Sequence, residues 1–416
     1  MNDMKYSGAE WLGDIPCDWG ITKIGLIYQE RNEKVSDLDY TPLSVTMKGI
    51  VPQLDSAAKS ADRDNRKKVE KGDFVINSRS DRRGSYGISQ YDGCCSLINT
   101  VLEPKPSVDA DYYNYVLFTK LFPDEFYRWG SGIVADLWST RWEYMKRILL
   151  PNPPIEEQRR IVKYLDVLCG RIDAAIKDQE EMIEKLERYR QSTINEKTTR
   201  GLAEERSMKP SGHEWLRNIP VEWKMVYSKS LFALRKDKAF EDDEQLTSSQ
   251  KYGIIRQKDF MELEGRQVVQ VVTGTEILKH VEAGDFVISM RSFQGGLEYS
   301  EISGKISSAY VMLIPREGKV CNDYYKWLFK SKSYIRALQS TSNLVRDGQA
   351  LRYSNFAQVY LPYFDMAEQK EIADYLNHYC GEIDNAISCS EQLIERLIEY
   401  KKTVIYEYVT GKRKVV

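Results

Sequence analysis

The sequence predicts a mixed α/β fold, α+β in character. Two similar globular regions are separated by two long antiparallel coiled-coil helices, and the whole is a pseudo-two-fold internal repeat. Three observations predict it. The run Glu157–Thr199 returns at Glu368–Thr410 in constant register, with Gln158, Ile161, Leu165, Cys169 and Ile172 matched by Gln369, Ile372, Leu376, Cys380 and Ile383. Both runs have apolar residues at heptad spacing and no internal proline. The longer stretches before each run also correspond, from Ser7–Trp19 against Ser211–Trp223 onward.

Each repeated run reads as one helix roughly 60 Å long at 1.5 Å per residue. One heptad column is Ile161, Leu168, Ala175, Met182 and Tyr189, echoed by Ile372, Tyr379, Ala386, Leu393 and Tyr400. Its companion is Leu165, Ile172, Gln179, Leu186 and Thr193, echoed by Leu376, Ile383, Ser390, Leu397 and Val404. A helix with a single apolar stripe needs a partner, and each run is the natural partner of the other. Gln179 and Ser390 hold the same repeat position. In an antiparallel pair they either meet and set the register or reach solvent at the seam edge. Gly170 and Gly381 cost about 1 kcal/mol each inside a helix. Their presence in both copies predicts a close helix approach, or else a slight bend.

The chain of 416 residues is 42% hydrophobic and 29% charged, which suits a soluble chain of more than one domain. No stretch approaches the ~20 apolar residues of a membrane span, and the N-terminus has no signal-peptide core. A cytoplasmic location with no membrane association is expected. The seven cysteines lack metal or disulfide spacing and read as buried or inert thiols. A net charge of −2 argues weakly against a dedicated nucleic-acid binder, although a net value hides a polarised surface.

The expected divisions are 1–153, 154–204, 205–364 and 365–416. Gly72–Ile76 and Gly284–Ile288 each read as a turn entering a buried strand, followed by Arg79-Ser80 and Arg291-Ser292. Leu97–Leu102 and Ala309–Ile314 read as a second buried strand. Asp111-Tyr112-Tyr113 and Asp323-Tyr324-Tyr325 open short amphipathic helices. Prolines at 151, 153, 154 and 362 precede the long helices, and Gly201 and Gly411 follow them.

The halves differ where loops are expected. Ser56–Lys68 is a charged insert whose counterpart is longer and unrelated in sequence. Arg79-Ser80-Asp81-Arg82-Arg83-Gly84 faces Arg291-Ser292-Phe293-Gln294-Gly295-Gly296. A shared frame with different side chains suits two modules that recognise two versions of one kind of ligand. Arg79, Arg82 and Arg83, with Tyr86 nearby, and Arg291 with Gln294 are the candidate DNA contacts. Arginine pairs with phosphate or guanine, and glutamine with adenine. The alternative for each is an exposed loop residue in a surface ion pair. Lys59, Arg63, Arg66, Lys67 and Lys68 form a basic cluster diluted by Asp62 and Asp64, either tracking a phosphate backbone or solvated.

Catalytic signals are lacking. Asn152-Pro153-Pro154-Ile155 resembles the signature of adenine-N6 methyltransferases, but Ile155 offers no face for stacking on a base, so it reads as a helix lead-in. There is no phosphate-loop motif. His213, His280 and His378 are scattered and read as surface or packing residues. No metal ligands and no cofactor are expected.

Taken together, Ser7–Trp19, Leu150–Asp166 and the closing Thr410–Lys412 resemble the specificity subunit (HsdS) of type I restriction-modification systems, with a match along essentially the whole chain. The second half departs at Asn377, opposite Asp166, and at Tyr363-Phe364, opposite Asn152-Pro153. The resemblance implies that 1–153 and 205–364 are target recognition domains, each reading half of a split, asymmetric sequence in double-stranded DNA. It implies that the helices hold them at a set separation and dock two methyltransferase (HsdM) subunits, with endonuclease/translocase (HsdR) subunits completing the complex. The subunit itself would have no catalysis and no cofactor. The competing reading is a two-headed protein-binding adaptor with a coiled-coil spacer, and a fused enzyme is a third.

Overall fold

The computed structural model describes residues 3–47, 49–53, 63–79, 84–106, 108–132, 138–265, 277–289, 292–341 and 351–415. They form two compact units. The first is Met1–Gln179 with Glu391–Val416, and the second is Glu180–Ser390. Each unit takes in part of both long helices, Ile155–Arg200 and Met366–Val409.

The first long helix starts after Pro153-Pro154, with Glu156 and Glu157 in its first turn and Lys197 and Arg200 in its last, which suits the helix dipole. It stops at Gly201, whose φ of 80° suits the left-handed position after a helix. Inside each unit the two helices run antiparallel. In the first, Tyr164 packs on Tyr408 and Lys401 pairs with Asp173 at 2.6 Å. In the second, Tyr189 and Tyr379 share a hydroxyl hydrogen bond of 2.7 Å and Arg190 pairs with Asp384 at 2.9 Å.

The two heptad columns fare differently. In the companion column Leu165, Ile172, Leu376, Ile383 and Ser390 are buried, while Gln179, Leu186 and Leu397 are half-buried. The other column is buried at Ile161 and Ile372 but surfaces further along. Met182 is 47% exposed, Tyr189 55%, Leu393 43% and Tyr400 49%. The stripe is wider than one partner helix covers, so its far edge faces outward.

The expected close approach at the helix glycines is absent. A Cβ placed on Gly170 or Gly381 would meet nothing within 4 Å. Gly170→Ala and Gly381→Ala are therefore each expected to stabilise the chain, by up to about 1 kcal/mol, because Ala removes the backbone-entropy cost without a clash. An unchanged or lowered urea midpoint in the isolated chain would mean that the helix needs glycine there for its own geometry.

The globular part of each unit is built on a four-stranded antiparallel sheet. In the first, the order is Tyr86–Ile88, Phe74–Asn77, Asn99–Pro104, Tyr28–Glu30. In the second it is Glu298–Tyr299, Phe286–Ile288, Val311–Pro315, Phe232–Leu234. The strands Asn99–Pro104 and Val311–Pro315 begin two residues later than the sequence pattern suggested, and Leu97 and Ile98 are exposed. Short pairs close each unit, Gly20–Lys23 with Leu149–Asn152 and Lys224–Tyr227 with Tyr360–Tyr363.

The repeated motifs join the globular core to the helices. Tyr112 donates its hydroxyl to Val409 O at 2.6 Å, and Tyr324 donates to Thr198 O at 2.8 Å. Each buried tyrosine thereby satisfies a carbonyl at the end of a long helix, where intrahelical donors run out. Gln158 and Gln369 are buried and donate to the lead-in carbonyls of Pro153 and Phe364. The change from Asp166 to Asn377 is matched across the contact. Asp166 accepts from the Tyr115 hydroxyl, and Asn377 accepts from the Trp327 indole. The terminal Lys412 donates to the carbonyls of Leu12 and Asp14, tying the end of the chain to its opening loop.

Candidate nucleic-acid interface

The strands Phe74–Asn77 and Phe286–Ile288 deliver the chain to corresponding turns. Both are held by the same device. In the first unit Asp73 is buried, accepts the Glu70 backbone N–H, and is held by Arg31 at 2.8 Å. In the second, Asp285 accepts the Glu282 N–H and is held by Arg235 at 2.5 Å. Hydrogen bonding to Asp285 pushes the Arg235 guanidinium further up.

Of the predicted contacts in the first unit, Arg79 is exposed and bridges to Ser139, and its backbone N–H donates to Asn77 Oδ1 at 3.0 Å. Arg82 and Arg83 lie outside the described residues. Tyr86 is half-buried at the sheet edge, 5.9 Å from the Phe74 ring and 5.7 Å from Phe118. Burial pushes its hydroxyl up to about 12. It packs against the core.

In the second unit Arg291 also lies outside the described residues, whereas Gln294 is exposed on the short helix Ser292–Gly295. Gln294 lines a cavity of about 860 Å³ shared with the tip of the hairpin Leu246–Ser249/Gly253–Arg256 and with Lys326, Trp327 and Lys330. Glycine is required at position 296, where φ is 79°. A Cβ on Gly296 would lie 2.0 Å from Phe329 O, and one on Gly295 would lie 2.6 Å from Gln250 Nε2.

The cavity is polar, and much of its positive charge is locally balanced. Lys330 pairs with the buried Glu298 at 2.5 Å, and Lys326 pairs with Asp323 at 3.0 Å while lying over the Tyr299 ring. Burial raises the Glu298 carboxyl and Lys330 opposes that shift. Such a surface suits amide-to-base hydrogen bonding better than diffuse phosphate attraction.

Sequence reasoning did not bring the hairpins next to the candidate residues. In the first unit the hairpin Leu43–Thr46/Gly49–Pro52 lies against the strand Tyr86–Ile88, since a Cβ on Gly87 would be 3.0 Å from Gly49 Cα. Its turn residue Met47 is highly exposed and lies 3.9 Å from where Gly84 would carry a Cβ. In both units, then, a hairpin tip lies beside described residues that follow the Arg-Ser pair in sequence, Met47 beside Gly84 and Gln250 beside Gly295. The repeated Gly-Ile pairs at 49 and 253 were the available signal.

The basic cluster of the first unit is corrected. Arg66–Val69 is a strand rather than a solvated loop, Lys67 pairs with Glu30, and Lys68 pairs with Glu33 and Glu70. Arg63 pairs with Asp37, and Lys59 lies outside the described residues. Asn152 is occupied by Tyr113 and Gln158, as a lead-in residue would be. Among the cysteines, Cys17 and Cys389 are exposed, not buried. His280 is no ordinary packing residue, because both of its ring nitrogens face carboxylates.

A family model described as the type I restriction modification DNA specificity domain matches residues 220–396. Two curated relatives come from Methanocaldococcus jannaschii. The type I restriction enzyme MjaVIII specificity subunit is 24% identical over 284 residues, spanning 65% of this chain and 63% of the relative, under two thirds of its length. The putative type I restriction enzyme MjaX specificity subunit is 21% identical over 436 residues, spanning 97% of this chain and 96% of the relative. A solved structure concerned with complex assembly and conformational transition of the type I R-M system shares the fold at a TM-score of 0.64 and 15% identity, covering 96% of this chain and 99% of that one. The family match over residues 220–396 and both curated relatives make this chain similar to the specificity subunits of type I restriction-modification systems, and the solved structure shares its fold.

Proposed function

We propose that this chain is the DNA sequence-specificity subunit of a type I restriction-modification complex, reading a bipartite, asymmetric target in double-stranded DNA. The observation that carries this is one frame used twice with different side chains at the same turns. Gln294 in the second unit corresponds to Arg82 in the first, after strands that occupy the same place in their sheets. In this reading 1–153 and 205–364 are the target recognition domains, and 154–204 and 365–416 are the helices that dock the partners. Two methyltransferase subunits supply adenine methylation with S-adenosylmethionine, endonuclease/translocase subunits supply cleavage, and this chain recognises without catalysing. No helix among the described residues is long and apolar enough to cross a membrane, and the proposed place of work is the cytoplasm. The outward column at Met182, Tyr189, Leu393 and Tyr400 supports the assignment of the helices as docking elements.

Adenine-methylation sequencing of host DNA with the gene intact and deleted tests the proposal. Deletion is expected to erase one split, asymmetric motif. A methylome unchanged by deletion, with the partner subunits expressed, would overturn it in favour of the adaptor reading. Within a functional complex, Gln294→Ala and Arg79→Ala are each expected to relax one half of the motif only, by about 1–3 kcal/mol of base discrimination. Uniform weakening across sequences would instead mark the residue as a phosphate contact.

A further inference from the structure

The strand Lys279–Val281 carries His280, which is only 4% exposed. Its Nδ1 lies 2.8 Å from Asp243 Oδ2 and its Nε2 lies 2.9 Å from Glu282 Oε2. Ionised carboxylates only accept hydrogen bonds, and a neutral imidazole has a single N–H. The geometry therefore calls for the imidazolium, with both nitrogens donating. Other charged or polar groups face this site from each neighbouring element. Ser303 donates to Glu282, Lys305 is the cross-strand partner of His280, and Arg235 and Asp237 flank the strand on the other side.

Asp243 is the important partner. It lies three residues before the hairpin Leu246–Ser249/Gly253–Arg256, whose tip forms a wall of the Gln294 cavity. The first unit places another cation at this strand position, with a different partner ahead of its hairpin. Arg66–Asp73 aligns without gaps with Leu278–Asp285, which places Lys68 opposite His280 and Glu70 opposite Glu282. Lys68 bridges Glu70 at 3.0 Å and Glu33 at 3.1 Å, and its ammonium lies 6.0 Å from the ring of Tyr40, three residues before the hairpin Leu43–Thr46/Gly49–Pro52, where the second unit has Asp243.

We propose that the His280 imidazolium is a positioning residue for the recognition hairpin of the second unit, so that reading of that half-site weakens as pH rises while the half held by Lys68 does not respond. The inference rests on the DNA-specificity reading given above. Desolvation pulls the His280 pKa down, but the bonds to Asp243 and Glu282 outweigh it, and the net shift is upward. A raised folded-state value stabilises fully below the unfolded value of about 6.5, and the contribution is lost as pH rises through the folded value. Lys68 is shifted further up by Glu70 and Glu33 and stays charged throughout.

Hydrogen exchange on the full-length chain, corrected for intrinsic rates, reads the latch directly, with the hairpin Leu43–Pro52 as internal reference. Between about pH 6 and about pH 9, spanning the histidine range, protection of Leu246–Arg256 relative to the reference is expected to fall on the order of tenfold, the worth of one charge-assisted hydrogen bond. His280→Lys, which copies the first unit, is expected to restore pH-independent protection, and His280→Gln to show low protection at every pH. A flat wild-type profile, or His280→Lys behaving like His280→Gln, overturns the proposal. The partnered complex on its own target supplies the second readout. Its discrimination at the second half-site should follow the hairpin with pH in wild type and not in His280→Lys. Hairpin loosening without any change in discrimination supports the latch but overturns the assignment of this hairpin to DNA.

Discussion

Trp223→Ala is expected to destabilise the second unit by about 4 kcal/mol, within the range for removing a buried tryptophan. Its indole is fully buried and stacks on Phe364 with centroids 3.7 Å apart and planes 2° from parallel. Its N–H donates to Glu368 Oε2 at 3.1 Å, and the Arg206 guanidinium lies 5.7 Å from the ring. Arg206 in turn holds Glu368 with two nitrogens and pairs with Glu222 at 3.1 Å. Truncation opens a cavity and loosens a carboxylate that positions the start of the second long helix. Phe364 stands where the first half has Pro153, so among the described residues Trp19, although buried, has no aromatic ring stacked on it. Trp19→Ala should therefore cost less. Urea unfolding followed by hydrogen exchange in each core measures both. A Trp223→Ala loss below about 1 kcal/mol would contradict the packing argument.

Asp285→Ala is the second large effect, expected at about 3 kcal/mol because it leaves a largely buried guanidinium without its main partner. Asp285 also closes the turn through the Glu282 N–H, so the strand Phe286–Ile288 loses its entry geometry as well. After the substitution, the ion pair left to Arg235 among the described residues is with Asp237, at 2.8 Å. The equivalent change in the first unit is expected to be milder, about half as large. There Arg31 keeps Glu103 at 2.7 Å and Glu70 at 3.0 Å. Adding Arg235→Met to Asp285→Ala should recover much of the loss, since removing both charges avoids burying one alone. A double-mutant cycle with equal losses at Asp73 and Asp285, or with no recovery in the double variant, would show that the turn hydrogen bond, not the charge pair, sets the cost.

Where sequence reasoning was incomplete, the cause was missing long-range information. The heptad columns located both helices, but periodicity specifies an apolar stripe without saying what covers each part of it. Met182, Tyr189, Leu393 and Tyr400 fit a seam by spacing and face outward in the chain. The lysines at 67 and 68 looked like a basic loop because their acids, Glu30 and Glu33, lie far back in the sequence and meet them only once the strands align. The Arg-Ser turns were visible as repeats, whereas the hairpin tips beside them were not, because that proximity comes from the way each hairpin lies against its sheet.

The sequence alone determined the repeat, the mixed fold, the two long helices with their ends, and the buried strands entered through Gly-Asp turns. These follow from local rules such as apolar period, proline and glycine stops, and turn chemistry, which act over a few residues. The tertiary structure decided which charges are neutralised, which side chains share a cavity with Gln294, and that His280 sits between two carboxylates. Those outcomes depend on the register between strands distant in the chain, where a shift of one residue turns a side chain to the opposite face and replaces every partner it has.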